Sequence, residues 1–155
     1  MISIQAAGLA DASGIHAIQL RAFAEEGRLG NNTQIPPLTE TLAAVEHHIQ
    51  TQTVLVARDG ERIVGSARGI VEGRVCTLRG VSVEPICQGL GIGAALLGSI
   101  EQAHPDVDRF ELTTSTVVPG NVAFYERRGY VVCKLTSYTD TIVLAQMSKA
   151  NRHLG

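Results

Sequence analysis

The sequence predicts one α/β domain in which a mixed, mostly antiparallel sheet carries helices on both faces. Three observations predict it. Short β-branched runs broken by tight-turn signals fill the stretch from Thr53 to Val83, apolar residues recur at helical spacing in several places, and two strand-like runs follow the last helical segment. The 155 residues suffice for one core and contain no linker, repeat or low-complexity block, so residues 1–150 read as a single domain and 151–155 as a short tail.

Taken in order, Met1 to Ala6 reads as a short strand, and Asp11 as the N-cap of a helix with Ile15, Ile18, Ala22 and Phe23 on one face. A loop rich in Gly, Asn and Pro follows from Gly27 to Pro37, after which Thr39 is placed to cap a helix through Leu42, Val45 and Ile49. Thr53 to Ala57 meets Asp59-Gly60 and Ile63-Val64 in a hairpin, and Glu72-Gly73-Arg74 turns a second hairpin into the strand Val75 to Val83. Simple alternation sets Val75, Thr77, Arg79, Val81 and Val83 on one face and Cys76, Leu78, Gly80 and Ser82 on the other. Gly65, Gly69 and Gly80 inside these strands signal bulges or close backbone approach. Beyond Pro85, the loop Gln88-Gly89-Leu90-Gly91-Ile92-Gly93 enters a helix with Ile92, Leu96, Leu97, Ile100 and Ala103 as its buried stripe, stopped by Pro105. Arg109 to Ser115 is a strand, Pro119 opens a short helix ending at the left-handed cap Gly129, and Tyr130–Leu135 and Thr141–Met147 are the last strands.

Composition narrows the function classes. Thirteen basic and fifteen acidic residues leave a net charge of −2 with no basic stripe, which argues against a nucleic-acid partner. Cys76, Cys87 and Cys133 are odd in number and lack the paired spacing of a zinc site or a disulfide framework, so reduced thiols and no metal are expected. The N-terminal stretch lacks the basic-then-apolar signature of a signal peptide, and no apolar run approaches the ~20 residues of a membrane span. A cytoplasmic protein with no membrane partner is the expectation.

The glycine loop carries the chemistry. A helix start preceded by glycines offers free backbone N–H groups and the positive end of the helix dipole, which suits a pyrophosphate; the bland reading is a turn whose glycines serve packing. Gly89-Leu90-Gly91-Ile92-Gly93-Ala94 also fits G-x-G-x-x-A of an NAD(P)-binding oxidoreductase. That fingerprint belongs in the first tight turn of a parallel βαβ unit, whereas here Glu84 to Gln88 intervenes and hairpins precede it.

Leu78-Arg79-Gly80-Val81-Ser82-Val83-Glu84-Pro85, followed by Gln88-Gly89-Leu90-Gly91-Ile92-Gly93-Ala94-Ala95-Leu96-Leu97, resembles the acetyl-CoA signature Q/R-x-x-G-x-G/A of the GCN5-related N-acetyltransferase (GNAT) superfamily. Asn121-Val122-Ala123-Phe124-Tyr125-Glu126-Arg127-Arg128-Gly129-Tyr130 is similar to its N-x-x-x-Y-E-x-x-G-F/Y block. The resemblance covers Thr53 to Met147 well and the first fifty residues in outline. It implies a GNAT fold whose fourth and fifth strands splay apart around the pantetheine arm of acetyl-CoA. Main-chain groups of Val81, Ser82 and Val83 would pair with that arm, the Val83 amide would polarise the thioester carbonyl, and Gln88, Gly89, Leu90, Gly91, Ile92, Gly93 and Ala94 would hold the pyrophosphate. Asn121 would bond the pantetheine or cap its helix, and Arg128 would reach the phosphates. The implied activity is acetyl transfer to a primary amine, on a small molecule or peptide, by direct attack in a ternary complex. A non-catalytic acetyl-CoA or CoA sensor is the alternative, an oxidoreductase the distant third, and a homodimer is compatible with either of the first two.

Proton handling is less legible. Tyr125 stands where the family's proposed general acid stands; its bland reading is a core aromatic. Some relatives hold a Glu six positions before Val83, and here Thr77 departs from that. Glu111 is the next candidate base, then Glu72 and Glu84, with a water chain anchored by Thr113 or Ser115 the preferred reading. Cys87, His47 and His48 read as bystanders, the two histidines on a solvent-facing helix. Glu25 and Glu26, beside the single base Arg28, are expected to draw a cationic amine and to disfavour one bearing extra carboxylates.

Overall fold

A computed structural model describes residues 1–30 and 34–151. Residues 31–33 of the loop expected between Gly27 and Pro37, and 152–155 of the expected tail, lie outside them. The seven strands are β1 (Ile2–Ala6), β2 (Thr53–Asp59), β3 (Arg62–Glu72), β4 (Val75–Val83), β5 (Arg109–Ser115), β6 (Val131–Ser137) and β7 (Val143–Ala150). They form one sheet in the order β1-β2-β3-β4-β5-β7-β6, in which only β4 and β5 run parallel. The helices are α1 (Ala12–Leu29), α2 (Pro36–Thr39), α3 (Leu42–Thr51), α4 (Ile92–Ala103) and α5 (Asn121–Glu126). This is the mixed sheet with helices on both faces that the sequence predicts.

The first fifty residues differ in detail. Asp11 is the N-cap residue of α1 as expected, but it also ends a 3₁₀ turn and its side chain makes no capping bond to α1, its carboxylate instead accepting the Gly8 amide at 2.9 Å and bonding Arg58. Helix α1 runs through Gly27 to Leu29, three residues into the expected loop. Thr39 closes α2, and it is Thr41 that caps α3, its Oγ1 accepting the Ala44 amide at 3.1 Å.

The bulge that Gly80 signals is present in β4, and the larger difference is its effect on the side-chain faces. Arg79 pairs with Arg68 and Ser82 with Ser66, so Gly80 and Val81 together oppose the single residue Ala67. Gly80 adopts φ +62, a left-handed conformation that a β-carbon disfavours. Because one residue is added, the side-chain alternation slips. Thr77, Arg79 and Ser82 now share the face covered by α1 and α3, and Leu78 and Val83 share the face covered by α4. The expectation that Arg79 and Val83 share a face fails for this reason.

Two cores result. Leu96, Leu97 and Ile100 of α4 pack on Val64, Ala67, Cys76, Leu78 and Phe110. On the other face Ala12 and Ile15 of α1 and Val45 of α3 pack on Val54 and Val56. One ion pair fastens α1 to the end of β4: Arg21 Nη2 meets Glu84 Oε2 at 2.6 Å and its Nε meets Oε1 at 2.9 Å, with Glu84 6% exposed. The Arg21 hydrogen bond holds the Glu84 carboxyl below its ordinary value of 4.5. A depressed carboxyl contributes stability above its ordinary range and loses it as pH falls through the folded value. Arg21→Gln should therefore lower Tm most at neutral pH, with the difference closing below about pH 4; a difference of the same size at pH 3 and pH 7 would show that the pair does not act through charge.

Candidate active site

β4 and β5 pair over three registers only, Val75 with Arg109, Cys76 with Phe110 and Thr77 with Glu111. Beyond them β4 stays with β3 as far as Val83 opposite Gly65, and β5 stays with β7 as far as Ser115 opposite Leu144. A cleft of about 1050 Å³ opens between the diverging strands and is lined from both faces of the sheet.

On the α4 face, the first amide of α4 with a backbone acceptor is that of Ala95, which donates to the Gly91 carbonyl at 3.0 Å. The amides of Ile92, Gly93 and Ala94 therefore remain for a ligand, at the positive end of the helix dipole. Gly89 and Gly91 both hold φ +84, and a β-carbon on either would meet nothing of the protein within 4 Å, so the loop is open on the side a ligand would occupy. Gln88 ties the loop to β4, its Nε2 donating to the Val83 carbonyl at 3.4 Å.

At the end of β4 the Glu84 amide is spent on the Val64 carbonyl at 2.8 Å. Successive amides of an extended strand point to opposite edges, so that of Val83 points to the open edge from which β5 has withdrawn. Tyr125, half-buried on α5, closes the same wall, its ring edge-on to Phe124 at 5.0 Å and to Tyr130 at 6.0 Å. Burial pushes its phenol up to about 12. The Tyr130 hydroxyl, by contrast, donates to Glu101 Oε2 at 2.8 Å, and burial with the Glu101 charge drives it further up. Arg128 stacks on Phe124 at 4.0 Å and donates to the Phe124 carbonyl at 2.8 Å, with its Nε left unpartnered. Asn121 neither caps nor stands free: Gly120 is the N-cap of α5, and Asn121 Nδ2 donates to the Ser115 carbonyl at 3.4 Å.

The cleft thus gathers Val81, Val83, Gln88, Gly89, Gly91, Ile92, Gly93, Ala94, Asn121, Tyr125 and Arg128, together with Thr113 and Ser115. Five of the sequence-predicted residues lie outside its lining. Ser82 is buried on the α1 face with its Oγ donating to the Gly80 carbonyl at 3.0 Å, Leu90 is 71% exposed, and Glu111 sits at the closed end of the splay, paired with Arg109 at 2.7 Å. Glu84 is engaged by Arg21, and Glu72 ends β3 at its hairpin.

On the α1 face the lining includes residues the sequence reading did not single out, among them Gln19, Glu40 and Arg68. Glu40 is their hub: it accepts from Gln19 Nε2 at 3.0 Å, from His48 Nε2 at 3.0 Å and from Arg68 Nη1 at 3.4 Å. Burial is the largest influence on its carboxyl and pushes it up, but the His48 and Gln19 hydrogen bonds and the Arg68 charge outweigh burial and leave it below its ordinary value. His48 is therefore a partner in a mostly buried cluster, not a solvent-facing bystander. Two further carboxylates line this side. Glu25 is committed to Arg28, within a 3.0 Å hydrogen bond, whereas Glu26 has no cationic partner among the described residues, and burial raises its carboxyl.

The sequence profile described as the Acetyltransferase (GNAT) domain matches residues 23–151, and the chain belongs to that family. Uncharacterized protein YdhI of Bacillus subtilis is 32% identical over 77 residues, 48% of this chain, and the match spans about half of that protein, 46%. Among solved structures, PaiA N-acetyltransferase of Thermoplasma acidophilum in complex with coenzyme A shares the fold with a TM-score of 0.80 at 14% identity, over 97% of this chain and 99% of that one. YncA of Salmonella typhimurium, solved with its cofactor acetyl-CoA, gives 0.75 at 17% identity, over 97% and 94%.

If the loop binds through its amides, a methyl group at Gly91 must obstruct the ligand without touching the protein. Gly91→Ala should weaken acetyl-CoA binding at least tenfold by calorimetry. Gly60→Ala, at φ +65 in a remote hairpin and equally open, carries the same backbone strain and serves as control. Equal affinities in the two variants would remove the loop from the binding site.

Proposed function

We propose that this chain is an N-acetyltransferase that moves the acetyl group of acetyl-CoA to a primary amine, on a small molecule or peptide, by direct attack within a ternary complex. One observation carries the reading: a single cleft passes through the sheet, joining a phosphate-type amide cradle on the α4 face to a charged chamber on the α1 face. Acetyl-CoA fits the first half, because the open glycine loop, the free α4 amides and the unpaired edge of β4 together suit a pyrophosphate followed by an extended amide-bearing arm. When bound it supplies an activated acyl group on a thiolate leaving group. Gln88 to Ala94 hold the phosphates with Arg128 beside them, and Val81, Val83 and Asn121 hold the arm.

Within this reading the Val83 amide is a preorganised donor to the carbonyl oxygen as charge develops there, an effect of ~2.7–4 kcal/mol in comparable sites. Tyr125 faces the departing sulfur. A phenol at about 12 stays protonated across the working range, but full transfer to a thiolate of pKa ~8.5 is uphill by ~5 kcal/mol, so its contribution is a hydrogen bond that strengthens as the thiolate forms. Glu26 takes the proton of the amine. It is the cleft carboxylate not already committed to a cation, and burial makes it a better base than an exposed glutamate. Glu111, paired with Arg109 beyond the closed end of the cleft, is not placed to do so.

Two variants test these assignments in an assay of CoA-thiol release against a panel of amines. Tyr125→Phe should lower kcat by roughly 10²-fold, the low end for acid–base groups, with acetyl-CoA affinity little changed. Unchanged kcat would return Tyr125 to packing, and no release with any amine would favour a sensor.

Glu26→Gln should abolish the acid limb of the pH–rate profile. The stability effect has the opposite sign. A carboxyl raised by burial contributes most below its ordinary value of 4.5 and costs stability once pH rises through the folded value, so the Gln variant should have the higher Tm at pH 7 and no advantage at pH 4. A variant that keeps the acid limb would clear Glu26 of the base role.

A further inference from the structure

We propose that Arg79, backed by Arg68, is a subsite for a carboxylate carried by the acceptor. That its ligand is the acceptor rests on the acetyl-transfer reading; the subsite itself rests on how the two arginines are placed and partnered. Arg79 and Arg68 are direct cross-strand partners on β4 and β3, and both line the cleft on the α1 face. Like charges placed directly opposite each other destabilise a sheet. The protein offsets this arrangement only in part. Arg68 is 14% exposed, meets Glu40 at the long distance of 3.4 Å, and keeps its Nε buried without a partner. Glu40 also serves His48 and Gln19. Arg79 has neither an ion pair nor a hydrogen bond among the described residues, although it is exposed within the cleft.

Of the two guanidinium groups only Arg68 meets a carboxylate, so the Arg79 fork stands at the chamber wall without an ion pair among the described residues. The bulge contributes to this geometry. A β-carbon at Gly80 would come within 3.3 Å of Arg68 Nη1, so the glycine gives the guanidinium room against the strand. The coenzyme phosphates are not the partner: the amide cradle lies on the α4 face, and the bulge places Arg79 on the opposite one. A planar fork without a partner, beside a second one, suits a carboxylate gripped through two parallel N–H···O bonds. The acceptor inferred is an amine with a carboxylate at its other end, contrary to the expectation from Glu25 and Glu26 that carboxylates are disfavoured. Glu25 is occupied by Arg28, and these two arginines change the charge of the chamber.

The test uses ω-amino acids of rising length, from glycine through β-alanine and γ-aminobutyrate to ε-aminocaproate, each beside its carboxamide. Binding to the CoA-saturated protein is measured by calorimetry, and acetylation of the same compounds is measured separately. The wild type should bind at least one acid ten times more tightly than its amide, and Arg79→Gln should cut that ratio at least tenfold with acetyl-CoA affinity retained. Arg79→Lys, which keeps the charge but loses the fork, should fall between. Equal binding of acid and amide, saturable binding of no acid, or a ratio that survives Arg79→Gln would overturn the subsite. Acid-selective binding without acetylation of any compound would keep the subsite and overturn the transferase reading, so the two failures are distinct.

Discussion

A strand hydrogen-bonded along one edge and abandoned along the other dominates this molecule. β4 keeps β3 as far as Val83 but loses β5 after Thr77, so the backbone groups from Leu78 to Val83 on that edge face a gap. Buried main-chain donors and acceptors are costly to leave unpaired. The edge borders the open cleft, where water satisfies its groups and where an extended ligand with amides of its own would find a ready pairing edge.

The gap is held open from outside. Helix α1 spans it as a strut: Arg21 fastens it to Glu84 at the end of β4, while near its far end the Thr141 hydroxyl donates to the Gly30 carbonyl, just before β7 begins. On the other face α5 is wedged beside β5, with Asn121 bonded to the Ser115 carbonyl and Phe124 set against Gly93 of α4. These contacts join elements that would otherwise close on one another, which is why residues far apart in sequence decide the width of one cleft.

What the sequence reveals about this arrangement divides by range. The glycine loop and the Asn121–Tyr130 block are contiguous, and each does its work within a dozen residues, so both can be read without knowing the fold. The hairpins at Asp59-Gly60 and Glu72-Gly73 are legible for the same reason. The bulge is not. Gly80 marks it, but alternation alone cannot tell that one inserted residue sends Arg79 and Val83 to opposite faces. The α1-side chamber is also hidden, because Gln19, Glu40 and Arg68 meet only through tertiary packing. One signal was present: Arg68 is a lone charge in the run Gly65-Ser66-Ala67-Arg68-Gly69-Ile70, where every other residue is small or apolar. A long cation in such a strand needs a partner, and the search for one leads to Glu40.

That cluster makes little sense as a stabilising device. Burying a charge pair recovers in Coulomb energy little more than desolvation costs, and well-packed apolar residues often serve stability as well or better. Here the arrangement is less favourable still, since a second guanidinium faces the first across the ladder. Glu40 does fix α2 against α1, α3 and β3, through Gln19, His48 and Arg68, and so sets the shape of the chamber wall. Shape alone would not call for Arg79. Arg79 on β4 and the half-buried Glu26 on α1 both line this chamber, and neither has an ion pair among the described residues. Charges left over in a concave wall, at a cost to the folded state, are where a ligand of complementary charge recovers the difference on binding.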